Sequence, residues 1–146
     1  MEELQFLTAE QTWEYATQHP TPFFVYSEER ILGQIAQLKA MTLPQHVHLN
    51  LRYAMKACAT SAILKIMLAN GIDIDASSEY EVFRALKAGY EPHQIELTAQ
   101  ETPRSLRVLV EKGIIYNACS LKQLRAYGET VQQIRQTQPE FHPKFS

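Results

Sequence analysis

The chain has 146 residues, 45% hydrophobic and 21% charged, with a formal net charge of -2. That is one domain's length with an ordinary globular composition, enough to bury a real core. No basic block stands out, which argues against nucleic acid or an anionic membrane surface as a partner. In chain order, the opening Met1-Glu2-Glu3-Leu4-Gln5-Phe6-Leu7 is acidic and lacks a signal peptide's basic start and apolar core. Thr8 then offers an N-cap, and residues 8–19 read as a short helix closed by His19-Pro20. Thr21-Pro22 leads into Phe23-Phe24-Val25-Tyr26, a run of β-formers that predicts a strand. Glu28 and Glu29 suit the first turn of a helix over 28–41, with Ile31, Ile35 and Leu38 on one face. Residues 1–45 are therefore expected to form an N-terminal helix, a strand and a lead-in helix.

Beyond Pro44 the pattern becomes repetitive. A strand is predicted at 47–55, where Leu49, Leu51, Tyr53 and Met55 alternate. A helix at about 60–70 carries Ile63, Leu64, Met67 and Leu68, capped by Thr60 or Ser61 and stopped at Asn70-Gly71. Its run 62–69 is the most apolar in the chain. It is far too short to cross a bilayer, and Lys65 interrupts it. The strand Ile72–Ala76 follows, then a helix opened by Ser77 and Ser78, containing Val82, Phe83 and Leu86 and stopped by Gly89. Next come the strand Ile95–Thr98, a helix with Leu106, Leu109 and Val110 ended by Gly113, and the strand Ile114–Asn117. A last helix from Ser120 carries Leu121, Leu124, Tyr127, Val131 and Ile134 up to Pro139, and Phe141–Ser146 resembles the start of a further strand.

Strand centres recur every ~20 residues, the rhythm of consecutive βα units. Such units wind an open sheet or curl into a (β/α)8 barrel, and a full barrel takes about 250 residues. The expectation is an α/β fold: residues 46–146 as the first half of a TIM-type barrel, about four βα units, within something larger. Each strand ends in small or polar residues, and ligands in parallel sheets sit at those carboxyl ends. The first strand ends on Lys56, with only Ala57, Cys58 and Ala59 beside it, and the second ends on Asp75. An amine so presented can attack a carbonyl when its surroundings hold a fraction of it neutral. Spacing alone leaves open a solvent-exposed lysine and a non-catalytic half-barrel module.

Tyr53-Ala54-Met55-Lys56-Ala57-Cys58 resembles the Tyr-Ala-x-Lys-Ala-Asn signature of the fold-type III, alanine racemase-like, pyridoxal-phosphate-dependent amino-acid decarboxylases. Thr21-Pro22-Phe23-Phe24-Val25-Tyr26 is similar to the Thr-Pro-x-x-Val-Tyr opening of the diaminopimelate decarboxylase branch. Ile74–Glu81 resembles the family's Phe-Asp-x-x-Ser-x-x-Glu second strand. Gln94–Thr98 and Asn117–Ser120 fall where the third and fourth strands do. The resemblance runs from residue 21 to the C-terminus.

That resemblance implies pyridoxal 5'-phosphate as cofactor, joined as a Schiff base to Lys56. It places Ala54 close against the cofactor ring and Asp75 beside Lys56 to orient it electrostatically, with Ser78, also cofactor-binding, and Glu81 at the second-strand exit. The implied reaction is decarboxylation of a small amino-acid substrate with a second amino group, meso-diaminopimelate to lysine, by a cytoplasmic homodimer. Carboxynorspermidine, ornithine and arginine decarboxylases are the alternatives; Cys58 in place of asparagine occurs in the carboxynorspermidine branch. A racemase is disfavoured because its Lys-Ala-Asn-Ala-Tyr-Gly run is absent here. The family's ring-stacking histidine, glycine-rich phosphate loop and cysteine-aspartate pair come later in its order than residue 146. The chain by itself is thus expected to be inactive or nearly so.

The remaining features have plainer readings. His46 and His48 could chelate, but no local carboxylate or cysteine joins them. Cys58 and Cys119 read as small half-buried thiols rather than a disulfide, and Trp13 and Tyr15 read as packing residues on the first helix.

Overall fold

The computed structural model describes residues 6–145. The chain divides into two compact units, Met1–Pro44 and Gln45–Ser146.

The first unit contains helices α1 (Ala9–Gln18) and α2 (Glu28–Lys39). Thr8 starts α1 through a capping box. Its Oγ1 accepts from the Gln11 N–H at 3.2 Å, and Gln11 Oε1 accepts from the Thr8 N–H at 2.9 Å. Ser27 caps α2 by accepting from the Arg30 N–H at 3.3 Å, and Glu28, Glu29 and Lys39 match the helix dipole at its two ends. Residues 23–26 form no strand, contrary to the sequence expectation. A strand needs a partner backbone, and among the described residues this unit holds only helices. Trp13 also departs from its expected packing role. It is 75% exposed, and α1 buries no residue at all.

The second unit is a strictly alternating βα chain: β1 (Arg52–Ala54), α3 (Ser61–Ala69), β2 (Asp73–Ala76), α4 (Glu79–Ala88), β3 (Ile95–Leu97), α5 (Leu106–Lys112), β4 (Ile115–Tyr116) and α6 (Leu121–Thr137). Its four strands are all parallel and lie in the order β1-β2-β3-β4. Parallel neighbours require crossovers, and each helix provides one. A single parallel bridge joins Tyr116 to Phe145, so the chain re-enters the sheet beside β4 where a further strand was expected. β1 is much shorter than the predicted 47–55. Its ladder begins where the Asp73 N–H donates to the Leu51 carbonyl, and Gly71 turns the chain away upstream of Ile72, leaving residues 47–50 without a partner.

Register gives the sheet two unlike faces. Ile74, Ala76, Ile95, Leu97 and Tyr116 are buried against the helices, where Leu64, Val82, Ala85, Leu109, Val110 and Ile134 complete the core. Each such side chain contributes roughly 1.5–3 kcal/mol when fully buried, less for alanine. The opposite face carries the row Ala54, Asp75, Glu96 and Ile115, with Arg52 and Asp73 one pleat earlier, all half-buried. The helices meet the sheet almost as their periodicity predicts. The exceptions are Phe83, Leu121 and Leu124, which are exposed. On α4 the buried positions are Val82 and Ala85; on α6 they are Gln123, Tyr127, Val131 and Ile134. At about 100° per residue, Leu124 and then Leu121 lie progressively further round the same side of that stripe.

Two glycines end helices cleanly. Gly89 (φ 107°) and Gly113 (φ 81°) adopt the left-handed conformation that a side chain disfavours. Tyr90, directly after the first, places its buried hydroxyl 3.1 Å from the Leu64 carbonyl and 3.2 Å from that of Ile72. It thereby fastens α3 to the start of β2, and burial pushes its phenol well above the ordinary range.

Candidate functional site

Lys56 lies in a 3-10 turn, Met55–Ala57, that leaves the carboxyl end of β1. The turn is held from both sides. Met55 is fully buried in the core, and the Tyr53 hydroxyl donates to the Cys58 carbonyl at 3.0 Å. Desolvation raises the Tyr53 phenol, reinforced by Cys58, so it stays a donor across the neutral range. Lys56 itself is exposed on this braced turn, with Ala57 beside it.

The strand exits surround an open cleft of about 870 Å3, a volume suited to a cofactor-sized ligand. Lys56, Asp75, Ser77, Ser78, Thr98, Ala99 and Cys119 line it, each just beyond or at the carboxyl end of a strand. Lys56 and Asp75 thus share one cleft. No ion pair joins them, and the Asp75 Oδ1 is buried without a hydrogen-bond partner. A buried acceptor left this way costs free energy unless a donor reaches it. Ser78 lines the cleft, but its Oγ also accepts from the Glu81 N–H at 3.3 Å and caps α4. Glu81 in turn accepts from the Ser77 N–H at 2.7 Å. Ala54 closes β1 on the polar face, half-buried and paired with Asp75 in register. Cys119 is exposed in the cleft rather than half-buried, Cys58 is half-buried, and neither is in a disulfide.

Three features of the site were not anticipated from sequence. Arg52 on β1 donates from Nε to Glu96 on β3 at 2.7 Å, with Nη1 3.5 Å from Asp73 on β2. Glu79, in the first turn of α4, accepts from both the backbone N–H and the hydroxyl of Ser105; these bonds lower its carboxyl below the usual range. Gln123, 2% exposed on α6, contacts the exits of both β3 and β4. A charged residue within each of the first three strands was a visible signal for the first. The other two depend on residues 24 or more positions apart.

A family model described as "Pyridoxal-dependent decarboxylase, pyridoxal binding domain" matches residues 30–139. The chain belongs to this family. Among curated relatives, diaminopimelate decarboxylase of Streptomyces coelicolor is 39% identical over 118 residues, spanning 77% of this chain and 25% of that protein. The Escherichia coli K12 enzyme of the same name is 34% identical over 128 residues, spanning 84% of this chain and 29% of its own length. A crystal structure of a diaminopimelate decarboxylase superposes with a TM-score of 0.73 at 33% identity, covering 84% of this chain and 28% of that one. The chain therefore spans between a quarter and three tenths of the curated relatives it matches.

The residues of this cleft fit the family's cofactor. An amine stands at the rim, a buried carboxylate oxygen waits unpartnered, and the cleft has the volume. Among the described residues no helix is long and apolar enough to cross a membrane.

Proposed function

We propose that this chain supplies the cofactor-bearing face of a pyridoxal-phosphate-dependent decarboxylase that converts meso-diaminopimelate to lysine. The supporting observation is that Lys56 opens into the same strand-exit cleft as the unpartnered Asp75 oxygen. The substrate assignment rests on the curated relatives, which are named diaminopimelate decarboxylases.

In this reading Lys56 Nζ is the nucleophile that holds the cofactor's aldehyde carbon. When bound, pyridoxal phosphate supplies an electron sink for the pair left on the α-carbon as CO2 departs. Ala54, small and on the polar face, leaves room beside the lysine for a flat ring. Asp75 acts through charge: it lines the cleft with its Oδ1 unpartnered, placed to orient a cationic nitrogen there. Ser78 lines the second-strand exit and holds the start of α4 there through its cap. Tyr53 likewise holds the lysine turn.

The test is chemical. The protein is incubated with pyridoxal phosphate, reduced with borohydride, digested and mapped by mass spectrometry. Label confined to Lys56, with loss of visible absorption on reduction, is the expected result. Label scattered over Lys65, Lys87, Lys112 and Lys122 in proportion to exposure would sink the proposal.

A further inference from the structure

Two strand exits, those of β3 and β4, part company just where the cleft begins. The ladder between them is intact one step earlier: the Asn117 N–H donates to the Leu97 carbonyl at 3.0 Å. In a parallel pair the next rung in the same direction would run from the N–H of residue 119 to the carbonyl of residue 99. That direct bond is not made. The Cys119 N–H instead donates to Gln123 Oε1 at 2.6 Å, and Gln123 Nε2 donates to the Ala99 carbonyl at 2.8 Å. One carboxamide is spliced into the position of the missing rung.

Gln123 has surroundings that fit this role. It is the buried polar residue of the described core, and it lies behind the cleft wall rather than in it. Its backbone is set by the α6 cap, where Ser120 Oγ accepts from the Gln123 N–H at 3.2 Å. A splice between an N–H and a carbonyl needs an acceptor at one end and a donor at the other, a fixed width apart. A carboxamide meets that need. The two residues it holds, Ala99 and Cys119, both line the cleft that contains Lys56.

We infer that Gln123 is a positioning residue for the cofactor cleft: its carboxamide replaces a ladder rung and sets the gap between the β3 and β4 exits. The inference rests on the reading of Lys56 as the cofactor amine. It extends that reading to a residue that touches neither cofactor nor substrate and acts through the Ala99 carbonyl and the Cys119 amide.

Three variants test it against wild type. Gln123→Met fills the volume without hydrogen bonds, Gln123→Asn keeps the amide but is too short to span the gap, and Val131→Ala lowers stability from elsewhere on α6. Measured are the pyridoxal phosphate dissociation constant, the fraction of Lys56 trapped by borohydride, and hydrogen exchange at the Cys119 amide. Both Gln123 variants should weaken cofactor binding about five- to tenfold, the scale of one or two lost hydrogen bonds. They should speed Cys119 exchange by at least about tenfold relative to amides in β2. Val131→Ala should lower the melting temperature and leave cofactor affinity within about twofold of wild type. Should either Gln123 variant fold and bind the cofactor as tightly as wild type, the inference is overturned while the Lys56 reading stands. If wild type itself traps no label on Lys56, the parent reading fails and takes this one with it.

Discussion

Arg52 reaches across the whole width of β2 to hold Glu96: its Nε lies 2.7 Å from the carboxylate, with Asp73 under its span at 3.5 Å from Nη1. The three side chains come from three successive strands and are only 14–22% exposed. The guanidinium is the cation that keeps two carboxylates together on one face of the sheet. Arg52→Met should therefore cost more than a surface pair, about 1–3 kcal/mol, because it strands two partly buried like charges. Urea denaturation measures it, and the double variant Arg52→Met with Glu96→Gln should recover part of the loss. If the single variant is as stable as wild type, the triad is not holding the strands.

Lys56 makes the opposite prediction. Its side chain is exposed and in no ion pair among the described residues, so Lys56→Ala should change stability by no more than about 0.5 kcal/mol. The same variant should abolish the borohydride-stable pyridoxal adduct. A variant that unfolds, or that still carries label, would contradict the site as drawn.

The Glu79–Ser105 contact carries a pH signature. Its two hydrogen bonds hold the Glu79 carboxyl below the usual 4.5, so the folded state binds that proton less readily than the unfolded chain. The stabilisation is then complete above pH 4.5 and lost as pH falls through the lower folded value. The stability gap between wild type and Glu79→Gln should accordingly be present at pH 6 and close at acid pH. A gap independent of pH over about 6 to 3 would show that the ionised carboxylate is not what Ser105 recognises.

Tyr90 gives the alkaline counterpart. Burial raises its phenol, with Asp73 adding to the effect, so the folded state keeps the proton longer than the unfolded chain does. Its contribution is whole below the unfolded value of 10.0 and lost as pH rises above it toward the folded value. Tyr90→Phe removes the hydroxyl shared by the Leu64 and Ile72 carbonyls and should cost about 1–2 kcal/mol at neutral pH. It should also flatten stability against pH on the alkaline side, as followed by chemical denaturation between about pH 8 and 11.

Much of this architecture was legible before any coordinates. The alternation of helix and strand from β1 to α6, the glycine stops at 71, 89 and 113, and the serine caps at 78 and 120 all lie where local rules put them. So does Lys56 at a strand's carboxyl end. These features depend on contacts within three or four residues, and a sequence displays such contacts directly. Residues 23–26 show where that reasoning fails. Their β-formers join no strand among the described residues, so propensity alone did not make one.

By itself, then, the sequence determined the order of elements, the amine at the rim and the family resemblance. Only the tertiary structure decided that Arg52 would span to Glu96, that Trp13 would lie exposed, and that Gln123 would complete the ladder between β3 and β4. The physical reason is register. Which side chains meet across parallel strands about 20 residues apart depends on how each crossover helix packs and returns the chain, and no local pattern encodes that distance.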